Sequence, residues 1–197
     1  MKADKDNLVK EYDMLRSEIN QKIELHNTLL TFTITTTVAV LTFALSKNMT
    51  VLYLIPFCII IPMSMRIAYY RSAITKLAAY MIVFLERNLD EIKWETRNAM
   101  LIENVLSKEN KSINNITILR YYECLIMAVI CYAFYVLDYI KDKDISIILI
   151  INILWPLLLI VWEILITKRI NSAAKEKQEW IKKWTYLKDK IEKTYSE

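Results

Sequence analysis

The sequence predicts an all-α integral membrane protein, with four transmembrane helices in two hairpins and a layer of cytoplasmic helices. Three observations predict it. Residues 145–167, ISIILIINILWPLLLIVWEILIT, run for 23 residues with one charge, Glu163. A helix rising ~1.5 Å per residue crosses the ~30 Å hydrocarbon layer in that length, and Lys168 and Arg169 follow at its end. Hydrophobic residues make up 55% of the chain and charged residues 24%. That mixture fits neither a soluble globule nor a chain wholly in lipid, and it suits apolar spans alternating with charged segments. The 197 residues include no glycine and three prolines, so helices joined by short polar turns are expected, with few strands.

In chain order, segment 1–27 is an amphipathic cytoplasmic helix that Asp6 or Asn7 can cap. Leu8, Tyr12, Leu15, Ile19 and Ile23 form its apolar face, opposite Lys10, Glu11, Asp13, Glu18 and Lys22. His26 marks its junction with the first span. Residues 28–70 form the first hairpin. Thr28–Leu45 holds seven threonines and no charge, and SKNMT at 46–50 is a short turn. The second span begins at Val51, is bent by Pro56 and Pro62, and extends to Tyr70 if Arg66 snorkels. Segment 71–120 is a cytoplasmic helical stretch. Leu77–Leu85 is apolar on every face but too short to cross, so it is expected to be buried or interfacial; a break is expected near 88–90, and SKENKSINN at 107–115 reads as a linker.

Residues 121–167 form the second hairpin. Its first span, Tyr121–Ile140, carries Tyr121, Tyr122, Tyr135 and Tyr139, which read as belt aromatics. KDKD at 141–144 turns into the last span, which has Asn152 and Pro156 near its middle. The tail 168–197 continues as an amphipathic helix, suited to a short coiled-coil seam or to a membrane surface. Segments 1–27, 66–120 and 168–197 hold 5, 9 and 9 of the 26 basic residues. The positive-inside rule therefore places both termini and segment 66–120 in the cytoplasm. The N-terminal MKADKDNLVKEYD has no apolar h-region, so the spans themselves are expected to direct insertion.

No catalytic constellation is present in the sequence. Without glycine there is no Walker loop, dinucleotide fingerprint or nucleophile elbow. One histidine excludes multi-histidine metal sites and most Ser-His or Cys-His arrangements. Cys58, Cys124 and Cys131 lie in apolar runs and read as core residues. Carboxylates such as Glu91 and Glu95, near Lys93 and Arg97, read as a solvated face. An enzyme, a cofactor or a metal is not expected. The net charge of +4 follows from the positive-inside bias and does not imply direct nucleic-acid binding.

Three groups stand out as candidate sites. Arg66, Arg120, Glu123 and Glu163 should lie at one inner-leaflet level. Glu163 then either lies shallow beside Lys168 or Arg169, or joins the two hairpins through Arg66 or Arg120 with Glu123 competing. Thr28, Thr35 and Thr42 recur every seven residues with Thr31 beside them and, with Asn152, form a candidate polar stripe. Their hydroxyls either bond the i−4 carbonyl and sit in lipid, or face another helix or a water path. Ser64, Ala68 and Ser72 make a small-residue row that permits close helix packing.

Tyr69, Tyr70 and Arg71, YMIVFLE at 80–86 and WETR at 94–97, placed after a short hairpin, resemble a pattern of small bacterial membrane proteins. Over residues 8–110 the layout resembles the SLATT family. That resemblance implies a two-span helical effector, encoded beside phage-defence sensors, that perforates the membrane. It assigns no functional residue and leaves the second hairpin unaccounted for. The leading expectation is an oligomeric inner-membrane protein acting as a membrane-perturbing or pore-forming effector. The bilayer, further copies of the chain and a soluble cytoplasmic protein would be its partners. One rival is an anchor or sensor that recruits a soluble partner without conducting. Another is a small transporter, for which half-to-half symmetry and Gly-broken helices are missing.

Overall fold

A computed structural model describes residues 5–47, 49–89, 91–107, 122–141 and 147–195. All regular structure among them is helical. Helix α1 (Lys5–Lys47) leads to a 3₁₀ turn (Thr50–Leu54), α2 (Phe57–Tyr80) and a π-helical turn (Met81–Leu85). There follow α3 (Trp94–Ser107), α4 (Glu123–Ile140), α5 (Ile147–Leu154), α6 (Leu157–Asn171) and α7 (Ala173–Thr194). Four stretches are long and apolar enough to cross a membrane: Lys5–Lys47, Thr50–Leu85, Glu123–Ile140 and Ile150–Asn171.

The element boundaries follow from the breakers. Nothing between Lys5 and Lys47 interrupts an α-helix, so the amphipathic segment and the threonine-rich stretch are one helix of 43 residues. Pro56, which lacks an N–H to donate, precedes α2 and accepts the Ile60 N–H at 2.8 Å. The expected break near 88–90 falls between the π-helical turn and α3. The tail is split at Ser172 rather than continuous. The linker at 108–115 and the turn at 142–144 lie outside the described residues, as do Arg120 and Tyr121.

The chain divides into two compact units. A charged unit comprises Met1–Leu25, Tyr70–Thr117 and Ser172–Glu197. Its core joins Tyr12 and Ile19 of α1 to Ala78, Met81, Leu85 and Leu89. The π-helical turn is its hub: α3 and α7 both pack against it, and Met81, Val83 and Leu85 are almost wholly buried. Of the two places open to Leu77–Leu85, buried or interfacial, the run takes the buried one.

An apolar unit comprises His26–Tyr69 and Ile118–Asn171. Here α4 packs against the 3₁₀ turn and α6. The core includes Phe57, Ile60, Ala128, Cys131 and Ile166, and Tyr53 stacks on Phe134 with ring centroids 6.0 Å apart. Pro156 separates α5 from α6 and explains a row of phenols. Proline has no N–H to give the Asn152 carbonyl, and the Tyr135 hydroxyl donates to that carbonyl at 3.0 Å instead. The Tyr132 hydroxyl donates to the Ile153 carbonyl, also at 3.0 Å. Tyr139 accepts from Asn152 Nδ2 at 2.8 Å. Tyr135 is therefore a buried bonding partner and not a belt aromatic: its relative exposure is 4%.

Tyr135→Phe should leave the Asn152 carbonyl buried and unpaired, at about 1–3 kcal/mol. In a Pro156→Ala background the restored N–H can serve that carbonyl. The same Tyr135→Phe change should then cost clearly less, measured as a double-mutant cycle of unfolding midpoints in detergent. Equal costs in both backgrounds would show that Tyr135 is not serving the proline break.

Candidate functional site

Buried carboxylates mark the chemically distinctive places in both units. In the charged unit Glu86 follows the π-helical turn and is 1% exposed. Its Oε1 accepts the Glu95 N–H at 2.7 Å, and its Oε2 accepts the Thr96 N–H at 2.8 Å and the Thr96 hydroxyl at 2.5 Å. These amides belong to the first turn of α3, where backbone N–H groups have no partner within the helix and the dipole favours an anion. Glu86 is thus a long-range N-cap. Tyr12 adds a hydroxyl from α1 at 3.4 Å. Burial, together with the Glu86 and Glu95 carboxylates, pushes the Tyr12 phenol up to about 12, so it remains a donor at any physiological pH.

Glu95 sits one step further along. Its Oε1 takes Arg16 Nη1 of α1 at 2.9 Å, and its Oε2 takes Lys177 Nζ of α7 at 2.9 Å. One acid thereby ties together three segments far apart in sequence. The expected solvated face is corrected here: Glu91 is exposed, but Glu95 is buried, and its cations come from α1 and α7 rather than from Lys93 or Arg97. Around this pair, Tyr80 donates to Glu11 at 2.8 Å, and Ser72 and Trp180 Nε1 donate to Glu176. Tyr80, Phe84, Trp180 and Trp184 form an aromatic cluster, with Lys76 over the Trp180 ring at 5.2 Å. The first turns of the tail helix are therefore docked within the chain itself.

In the apolar unit Glu163 of α6 is 0% exposed, and so is Ser64 of α2. Glu163 Oε2 lies 2.8 Å from Ser64 Oγ, and Oε1 has no hydrogen-bond partner. Among the described residues no salt bridge joins Glu163 to Arg66, Lys168 or Arg169. Arg66 is exposed, and Glu123 stands half-buried in the first turn of α4. The structure thus brings Glu163 to the small-residue row and not to Arg66, because the small Ser64 gives a carboxyl room beside α2; Arg120, the other arginine that charge pairing suggests, lies outside the described residues.

Within the row, Ser64 and Ala68 are buried in the apolar unit, whereas Ser72 bonds Glu176 in the charged unit. Thr28, Thr31, Thr35 and Thr42 are all exposed. The Thr35 and Thr42 hydroxyls donate to the Thr31 and Val38 carbonyls, each at 2.9 Å. Asn152 bonds Tyr139 on α4. The buried threonines are Thr33 and Thr37, both 0% exposed. Their i,i+4 spacing, continued at Leu41, was the available signal.

No protein-family model matches the sequence, and no curated protein or solved structure matches it.

Replacing Glu86 with Ala strips acceptors from two amides and two hydroxyls, and about 3 kcal/mol should be lost. Hydrogen exchange at the Glu95 and Thr96 amides should accelerate, with Glu86→Gln intermediate. Arg16→Ala or Lys177→Ala alone leaves Glu95 one cation. The pair together leaves a buried charge uncompensated, so the double variant should cost more than the sum of the singles.

Proposed function

We propose that this chain is an oligomeric inner-membrane protein whose apolar unit perturbs the bilayer under control of its charged unit. The observation that carries the reading is the surface of the apolar unit. Phe32, Val38, Phe43, Ile126, Val129, Leu158, Trp162 and Leu165 are large, apolar and exposed, on α1, α4 and α6 alike. Exposed apolar surface on this scale needs a non-aqueous neighbour. Inside, the carbonyls freed by Pro156 are bonded, as a bilayer without water demands. Residues 28–70 and 121–167 are the two membrane hairpins, with both termini and segment 66–120 in the cytoplasm by the count of basic residues.

The exposed Thr28, Thr31, Thr35 and Thr42 face supports assembly. Four hydroxyls along one line give several copies a polar surface to share or to turn towards water. The SLATT-like layout supports the effector role and a setting in anti-phage defence, with a soluble cytoplasmic protein as the trigger. A second reading is an anchor that recruits such a partner and conducts nothing. It is favoured by the Thr35 and Thr42 hydroxyls, which already bond their own helix and so can sit in lipid at little cost.

Two experiments test this function. Purified protein reconstituted in liposomes should release an entrapped dye, and changing the four threonines to Val should abolish release while leaving the helical content unchanged. Release by neither protein supports the anchor, and equal release by both removes the threonine face from the path. For topology, single cysteines at Lys47 and Asp142 should react with an impermeant thiol reagent added to intact cells, and one at Ser112 should not. Labelling at Ser112 would overturn the arrangement.

A further inference from the structure

Ser64 has more acceptors around it than protons to give. Its Oγ lies 2.9 Å from the Ile60 carbonyl, 3.0 Å from the Ile61 carbonyl and 2.8 Å from Glu163 Oε2. A serine hydroxyl has one proton to donate and two lone pairs that accept, whereas a carbonyl only accepts. If Ser64 donates to the backbone carbonyl, as a serine within a helix commonly does, the contact with Glu163 needs a proton from the glutamate side. A carboxylate would supply none.

The surroundings point the same way. Glu163 is completely buried, and its second oxygen has no partner. From α2 the facing group is Ser64; the other titratable residues of α2 within this unit are Cys58, Arg66 and Tyr69, and Arg66 is exposed. From α4 the Cys124 thiol lies within electrostatic reach of Glu163, and Glu123 precedes it. The other titratable residues of α4 are Cys131, Tyr132, Tyr135, Asp138 and Tyr139, and Asp138 accepts from Thr50. On α6 the nearest charges are Lys168 and Arg169, more than a turn along. Between His26 and Lys47, α1 offers nothing titratable, and neither does α5. In the 3₁₀ turn there is only Tyr53. No cation among these compensates a carboxylate, and a buried charge left so is among the costliest features a fold can hold.

We propose that Glu163 is a proton-binding site inside the apolar unit: the carboxylate takes up one proton on Oε2, which donates to Ser64 Oγ while Ser64 donates to the Ile60 carbonyl. The neutral acid leaves Oε1 as an ordinary carbonyl oxygen, whose missing partner is tolerable. Loss of the proton places an uncompensated charge at the α2–α6 contact, so the site links proton concentration to the packing of these two helices. The inference rests on the membrane-embedded reading of the apolar unit.

The full chain in liposomes is treated with dicyclohexylcarbodiimide, which enters apolar phases and captures protonated carboxyls. The carboxyl proton moves to a carbodiimide nitrogen, the carboxyl oxygen bonds the central carbon, and an acyl shift to nitrogen fixes a stable adduct with nothing lost. Peptide mass spectrometry should find the adduct at Glu163. It should be absent from Glu163→Gln, and its rate should fall about tenfold per pH unit above a midpoint. Sodium at constant pH should not protect.

Absence of an adduct in protein that resists alkaline carbonate extraction would overturn the proton site and leave the membrane reading standing. Loss of the protein to carbonate would overturn the membrane reading. A rate independent of pH, or protection by sodium, would also overturn the assignment, the latter in favour of a metal cation. If Glu163→Gln does not fold, the pH profile of the wild-type adduct at Glu163 decides.

Discussion

The constraint on which the rest of this structure depends is the fate of backbone groups at helix breaks in a chain without glycine. Helices commonly end in a left-handed residue, usually glycine, whose N–H closes the last turn. Here that device is missing, yet the chain stops and restarts its helices repeatedly. Side chains from other elements take over. Glu86 supplies acceptors to the first turn of α3, and Tyr132 and Tyr135 supply donors to the carbonyls that Pro156 leaves open. A partner of this kind fixes the break and docks two elements at once, so the start of α3 and the break at Pro156 are also tertiary joints.

This explains what could be read from the sequence and what could not. The all-helical character and the four apolar stretches were legible, because length and absence of charge are local properties. So was the break after the π-helical turn, while for Leu77–Leu85 length left burial and the interface both open. The roles of Glu86 and Glu95 were not. Their partners lie far off in the chain: Tyr12 reaches Glu86, while Arg16 and Lys177 reach Glu95. Nothing in ERNLDEIKWETR separates a buried glutamate from the exposed Glu91. Local i,i+4 pairing suggested solvent, and tertiary pairing overrode it. The same holds for Tyr135, whose place near a helix end imitated an interfacial aromatic until the proline break gave it a carbonyl to serve.

The three buried glutamates among the described residues form a series in how a fold accommodates a carboxylate. Glu95 is matched by two cations. Glu86 is matched by amide dipoles at a helix start, with hydroxyls completing the shell. Glu163 has one hydroxyl and, among the described residues, no salt bridge to a cation. In the first two, cations, amides and hydroxyls surround the carboxylate oxygens. The third suits the neutral acid. The difference lies in what neighbouring helices could offer: the charged unit is rich in lysine, arginine and first-turn amides, while the faces around Glu163 are built for apolar packing.

The threonines of α1 carry this logic to its last step. A heptad of threonines drew attention to Thr28, Thr35 and Thr42, yet the interior takes Thr33 and Thr37, followed on the same face by Leu41 and Ala44. A threonine hydroxyl that bonds the carbonyl one turn back is polar in name and nearly neutral in energetic demand, as Thr33 does with Leu29 at 2.7 Å; the buried Thr37 hydroxyl has no such partner. Polarity therefore does not decide which face turns inward. On this helix the buried face runs from Thr33 and Thr37 into Leu41 and Ala44 at helical spacing, and a seven-residue periodicity of hydroxyls points to the opposite, exposed threonines.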